Sequence, residues 1–222
     1  MIRKKTILEL GKKIAFRSKL FNRFSKPHYP FNLEPVQLAR IIEEIEQRRD
    51  TPGCVVEIGV ARGMTTRFIA EHLLRSGSKK TLYCVDTFSS FTQKDIDYEV
   101  HQRSKDLSLL RGFEYNDFEV WKNNFREFDG QVVPIQSDCS VFDYSGVAPI
   151  SVALLDVDLY LPTTRTLPHL YEALEPGGVI FVDDVMADHH YDGAAEAYFE
   201  FVRANGLPER VLGNKCGLIY KP

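Results

Sequence analysis

The sequence predicts a doubly wound α/β domain on a mostly parallel, seven-stranded sheet. Short apolar runs alternate with helical stretches from residue 53 onward, and several of these runs end in an acid. The chain has 222 residues, enough for one such domain with a full core and too few for two. Hydrophobic residues make up 44% and charged residues 27%, the balance of an ordinary globular protein.

Taken in order, the chain divides into an extension, 1–50, and a domain, 51–222. Residues 1–26 hold nine Lys or Arg against the single acid Glu9, a net of +8, which leaves −11 on the rest of a chain of net charge −3. "TILELGKKIAFRSKLFNRF" spaces Ile7, Leu10, Ile14 and Phe21 for a basic amphipathic helix. Such a helix packs on its own domain or a second subunit, or docks on an anionic membrane surface or lipid-linked substrate. The acidic body argues against nucleic acid. "KPHYPFNLEP" is a linker, and a helix follows over about 35–49.

"CVVEIG", "TLYCVD", "QVVPIQS", "ISVALLDVD" and "GGVIFVDD" are five strands, and "RVLGN" and "CGLIYKP" close the sheet. Helices are expected over "MTTRFIAEHLLRSG", ending at Gly77, and near 114–128, 162–174 and 191–205. Strand–helix units of this length imply parallel pairing and right-handed crossovers. Residues 88–113 are polar and too long for a simple connection; they are expected to form a lid or specificity insert, with a variable surface excursion of no role as the alternative.

Cys54, Cys84, Cys139 and Cys216 form no CxxC pair, so a thiolate metal site is not expected and a reduced, cytoplasmic setting fits. No apolar run reaches the roughly 20 residues of a membrane span, and the N-terminus lacks the pattern of a secretory signal.

The first chemical motif is "VVEIGVARG", residues 55–63, between a strand and a helix. Gly59 permits a tight turn, Ala61 and Gly63 keep side chains small, and the helix beyond offers free N–H groups to an anion. The dinucleotide fingerprint GxGxxG is absent. An acid two residues before the first glycine, Glu57, is the variant seen in S-adenosylmethionine binders. Asp86 ends the next strand, where an acid can accept ribose hydroxyls. Ser137 and Asp138 end the third, in reach of an adenine amino group. Each acid taken alone is also readable as a helix cap or a solvated loop residue.

The second motif is a pair of acidic strand ends: "LLDVDLY" carries Asp156 and Asp158, and "VIFVDDV" carries Asp183 and Asp184. Neighbouring strands lie roughly 4.8 Å apart, so these carboxylates can converge. Together they would repel and raise one another's pKa unless a hard divalent cation such as Mg2+ joined them.

The run from about 53 to 222 resembles the class I S-adenosylmethionine-dependent methyltransferases. Its "LLDVDLYLPTTRTLPHLYEALEPGGVIFVDDV" is similar to the macrocin O-methyltransferase family, which methylates hydroxyls on sugars and other natural products. The resemblance implies a Rossmann-like methyltransferase fold and an S-adenosyl-L-methionine site formed by Glu57, Gly59, Val60, Ala61, Gly63, Thr65, Asp86, Thr87, Ser137 and Asp138. It implies a metal held by Asp156, Asp183 and Asp184, with Asp158 as candidate general base. His189 and His190, just past the DD pair, are competing bases or pocket-wall residues. A cap for the helix near Pro162 is the alternative for Asp158, and an ordinary loop position the alternative for the two histidines. A small-molecule hydroxyl acceptor and a possible homo-oligomer complete the expected partners.

Two other enzyme classes fit less well. A haloacid-dehalogenase-type phosphatase also uses an apolar strand and D-x-D, but expects Thr or Val where Tyr160 stands. A nicotinamide dehydrogenase lacks its glycine motif. A catalytically silent cofactor-binding module is the remaining alternative, and the intact acidic set argues against it.

Overall fold

The computed structural model describes residues 7, 9–14, 29–186 and 191–222. The chain falls into two units, Met1–Asn32 and Leu33–Pro222. In the first, residues 9–14 are helical and Lys12 pairs with Glu9 at 2.9 Å. The division falls at 32/33, so the helix expected near 35–49 belongs to the larger unit.

That unit opens with α1 (Pro35–Gln47), which buries Leu38, Ile41 and Ile45. Then come β1 (Cys54–Ile58), α2 (Met64–Ser76), β2 (Leu82–Asp86), α3 (Gln93–Arg103), α4 (Phe118–Asn124) and β3 (Val132–Gln136). The rest is β4 (Ile150–Leu155), α5 (Tyr160–Ala173), β5 (Leu174–Val182), α6 (Gly193–Ala204), β6 (Val211–Leu212) and β7 (Cys216–Tyr220). The sheet order is β3-β2-β1-β4-β5-β7-β6. The first five strands are parallel, and β7 runs antiparallel to both β5 and β6. The predicted mostly parallel, seven-stranded architecture is what forms.

Every residue of β4 is buried, as an apolar run at the centre of a sheet covered on both faces requires. Helix α2 ends where Gly77 takes a left-handed φ of 68° and its N–H caps the last turn. The 88–113 insert contains α3 and a 3-10 turn over Leu107–Leu110. Thr92 caps α3 by accepting from the Asp95 N–H, and Tyr98 stacks on Tyr160 of α5 with the rings 5.5 Å apart.

Strand order reverses between β1 and β4, the switch point at which open α/β sheets bind ligands beyond their carboxyl ends. The register aligns those ends: Ile58 faces Leu155, which faces Val182. The ladder continues one residue further, with Asp156 N–H donating to the Ile58 carbonyl at 2.8 Å and Asp183 N–H to that of Leu155 at 2.9 Å. Gly59, Asp156 and Asp183 therefore leave the sheet side by side.

Candidate active site

The turn from β1 to α2 uses three left-handed residues, Gly59 (φ 79°), Ala61 (φ 45°) and Gly63 (φ 85°). At Ala61 this conformation carries a steric cost of roughly 1–2 kcal/mol. Two contacts hold it: Ala61 N–H donates to Asp86 Oδ2 at 3.2 Å, and its carbonyl accepts from Asn116 Nδ2 at 2.8 Å. Asp86 also accepts from Val60 N–H at 2.7 Å and Phe88 N–H at 2.6 Å, so it ties the glycine turn to the end of β2.

Gly59 and Gly63 are needed for space as well as for φ. A Cβ on Gly59 would lie 1.8 Å from the Asp156 carbonyl oxygen. One on Gly63 would lie 2.5 Å from the Phe125 ring and 3.0 Å from Trp121 Nε1. Trp121 is buried, stacked on Phe125 and edge-on to Phe88. Gly63 caps α2 without a side chain, leaving the first turn open to an anion. Among the described residues, the buried atoms Trp121 Nε1 and Glu57 Oε2 have no hydrogen-bond partner.

Glu57 is 2% exposed beneath this turn. Burial pushes its carboxyl up to about 8; the nearby Thr66 opposes the rise and the charge of Asp86 adds to it. Val60 and Thr65 are buried in the same turn. Thr87 Oγ1 donates to the Ser90 carbonyl at 2.7 Å. Ser137 N–H continues the ladder to the Asp86 carbonyl at 2.9 Å. Asp138 Oδ1 accepts from Ser140 N–H and Oγ at 2.8 and 2.7 Å, a local capping role with its second oxygen left over.

Beyond β4 and β5 the acids gather. Asp156, Asp158 and Asp184 each place a carboxylate oxygen within 4.8 Å of the others. Asp158 (φ 62°) and Asp184 (φ 58°) both take left-handed backbone, tolerated by Asp better than by most residues. Asp183 stands beside this group, its Oδ1 accepting from Gln37 Nε2 at 2.6 Å and its Oδ2 from Lys215 Nζ at 2.7 Å. Lys215 Nζ also reaches Asp184 Oδ1 at 2.8 Å.

Asp156 and Asp158 are set deep among other atoms yet keep part of their surface open to the site. Burial raises the carboxyl of Asp156 well above its ordinary value; the charges of Asp183, Asp158 and Asp184 add, and Lys215 opposes. Burial, then Asp184, does the same to Asp158. Asp183 is raised by burial and by Asp184, against Lys215 and Gln37. Burial alone would lower the Lys215 pKa, but Asp183 and Asp184 raise it. A donor set of clustered, mutually repelling carboxylate oxygens is the chemistry that suits a hard divalent cation.

Asp158 does not cap the following helix. The N-cap of α5 is Leu159, which has no side-chain acceptor, and Glu99 from α3 accepts from Tyr160 N–H at 2.8 Å instead. His189 and His190 lie outside the described residues. Phe91 packs against Phe113 at 5.5 Å and against Tyr191 at 6.2 Å. Burial, then the charges of Asp158 and Asp184, raises the Tyr191 hydroxyl pKa.

Four residues of this assembly carried no motif. Gln37 had a faint signal, a polar residue on the face of α1 that buries Ile41 and Ile45. Glu99, Asn116 and Lys215 lie in a polar helix or in turns, where nothing local marks them.

The sequence profile of the Macrocin-O-methyltransferase (TylF) family matches residues 35–213. The 8-demethyl-8-(2,3-dimethoxy-alpha-L-rhamnosyl)-tetracenomycin-C 4'-O-methyltransferase of Streptomyces olivaceus is 30% identical over 155 residues. That match covers 64% of this chain and 59% of the relative. The O-methyltransferase NovP superposes with a TM-score of 0.66 at 21% identity, covering 83% of this chain and 79% of that one. CalS11, a calicheamicin methyltransferase, does so at 0.65 and 18% identity, covering 98% and 91%. At those identities the two structures speak to the fold.

Proposed function

The chain belongs to the macrocin O-methyltransferase family, and we propose that it moves a methyl group from S-adenosylmethionine to a hydroxyl on the sugar of a small natural-product acceptor. The observation that carries this reading is the back-to-back join at the switch point. Gly59 of the cofactor turn abuts the Asp156 carbonyl, so a methyl donor on one side and a hydroxyl among the acids on the other share one wall. Family membership supports the cofactor, and the rhamnosyl group in the name of the Streptomyces relative supports the sugar.

The residues present fit the cofactor. The uncapped first turn of α2 suits its carboxylate, and Glu57, Val60, Ala61 and Thr65 shape the turn beneath it. A carboxylate has about four lone-pair sites; Asp86 spends three on N–H groups, and the fourth meets only the long 3.5 Å contact of Thr87 Oγ1, which a ribose hydroxyl would replace. Thr87, Ser137 and Asp138, at the ends of β2 and β3, would flank the ribose and adenine.

Asp156, Asp183 and Asp184 would hold a Mg2+ ion, Asp183 through lone pairs that Gln37 and Lys215 leave free. When bound, such a cation orients a hydroxyl and lowers its pKa. Asp158, inside the same group of oxygens, is placed to accept the hydroxyl proton. Phe91, Phe113 and Tyr191 offer ring faces to the apolar side of a sugar. Methyl transfer is an in-line displacement, so positioning by these walls supplies much of the rate.

The test is direct. Purified protein, S-adenosylmethionine and Mg2+ are offered rhamnosylated natural products, and release of S-adenosylhomocysteine is followed with and without EDTA. Methylated glycoside is expected, with loss of turnover in EDTA and in Asp158→Asn. A protein whose melting temperature ignores S-adenosylmethionine, and which methylates no glycoside, sinks the reading.

A further inference from the structure

Lys215 belongs to none of the cofactor, metal or base positions, yet its ammonium bridges Asp183 at 2.7 Å and Asp184 at 2.8 Å. Those two carboxylates are 3% and 5% exposed as residues. Among the described residues, no other ion pair reaches the acid cluster. We propose that Lys215 is the resident counter-charge of the acid cluster, a positioning residue that holds the Asp183–Asp184 pair in place and competes electrostatically with the divalent cation. The proposal rests on the metal reading above and extends it.

The backbone around Lys215 is fastened, so the ammonium is delivered to one place. Its carbonyl accepts from Val185 N–H at 2.7 Å, directly after the acidic pair. Its neighbour Asn214 donates to Glu34 through N–H at 3.1 Å and Nδ2 at 2.8 Å. Glu34 in turn donates its N–H to Gln37 Oε1 at 2.6 Å, which fixes the amide so that Nε2 faces Asp183. Asp183 is thereby gripped from α1 and from the β6–β7 turn at once.

Two consequences follow from charge alone. Four crowded carboxylates without a cation repel, so removing Lys215 destabilises the metal-free protein. A divalent ion entering beside Asp184 also meets the ammonium's repulsion, which weakens its binding. Lys215 thus lets the site assemble before metal arrives and keeps metal affinity moderate. A residue with a merely structural role would lower stability and metal affinity together; a counter-charge moves them in opposite directions.

The test uses the full chain without cofactor or acceptor: wild type, Lys215→Met and Lys215→Arg. Calorimetric titration with Mn2+ alone is paired with thermal melts in EDTA and in saturating Mg2+. Lys215→Met is expected to melt below wild type in EDTA, to recover most of the gap in Mg2+, and to bind Mn2+ about tenfold tighter. Lys215→Arg, which keeps the charge, is expected to bind Mn2+ like wild type; tighter binding there would overturn the proposal even if the Met variant fails to fold. Equal or weaker Mn2+ affinity in Lys215→Met, with wild type binding normally, also overturns it and spares the metal reading. A wild type that binds no Mn2+ removes both.

Discussion

Tyr160 N–H donates to Glu99 Oε1 at 2.8 Å across 61 residues of sequence, joining the insert to the loop that carries Asp156 and Asp158. Gly193 closes over this contact, and a Cβ there would lie 2.4 Å from Tyr160 N. Glu99 is buried, and its other oxygen accepts from Arg103 Nε at 3.0 Å. Arg103 carries the brace onward to Asp192 at 2.7 Å and to Glu196. The insert is therefore built into the wall of the acidic site through α3.

Glu99→Ala removes the acceptor of a part-buried backbone donor and should cost about 1–3 kcal/mol in urea unfolding. Turnover should fall with it, while S-adenosylmethionine affinity stays near wild type, because the carboxylate of Glu99 binds Tyr160 and Arg103 on the acidic side of the site. Glu99→Gln keeps an acceptor and should lie between the two. An alanine variant as stable as wild type would show that the contact braces nothing.

Gly59 and Gly130 separate the two reasons a glycine is needed. Both have left-handed φ, 79° and 83°, but a Cβ on Gly130 meets nothing within 4 Å. Gly130→Ala should therefore pay only backbone strain, about 1–2 kcal/mol, and stay active. Gly59→Ala adds a collision with the Asp156 carbonyl and should lose more stability, together with S-adenosylmethionine and Mg2+ binding. Equal melting temperatures for the two variants would dismiss the shared wall.

The sheet was legible because buried parallel strands read as apolar runs, and the turn because its glycines follow β1 directly. The two acidic clusters were visible for the same reason, each ending an apolar run. What could not be read was who holds whom. Gln37 reaches Asp183 over 146 residues and Lys215 over 32; no periodicity encodes such pairings. The insert was expected only as a lid, but Arg103 pairs with Glu99 within α3, reaches Asp192 and Glu196, and lies over the Tyr160 ring, contacts that account for a helix its own weak amphipathicity does not announce.

Glu57 makes stability depend on pH. Its carboxyl ionises near 8 in the folded chain, above the ordinary 4.5, so the folded state holds its proton more tightly than the unfolded. The stability this contributes is complete below pH 4.5 and is lost as pH climbs toward 8, on the order of 3–5 kcal/mol in all. Glu57→Gln has no proton to lose there. Melting temperatures of the two proteins should converge near pH 5 and separate by pH 8, with the glutamine variant higher. Parallel curves between those limits would contradict a buried acid held largely protonated by desolvation.

The Mg2+ binding proposed above should itself be linked to protons. The carboxyls of Asp156, Asp158 and Asp183 are all raised, by burial first and by one another next, so the metal-free site retains protons above the usual carboxylate range. A divalent cation would have to displace them, since only the ionised oxygens coordinate well. Mg2+ affinity should accordingly strengthen from pH 5.5 to pH 8, and binding should release protons. Calorimetry in two buffers of different ionisation heat measures that release. Asp156→Asn should abolish most of the binding and its proton release, while S-adenosylmethionine still raises the melting temperature. Affinity that is flat across this range would mean that the acids are already ionised, and that Lys215 alone offsets their repulsion.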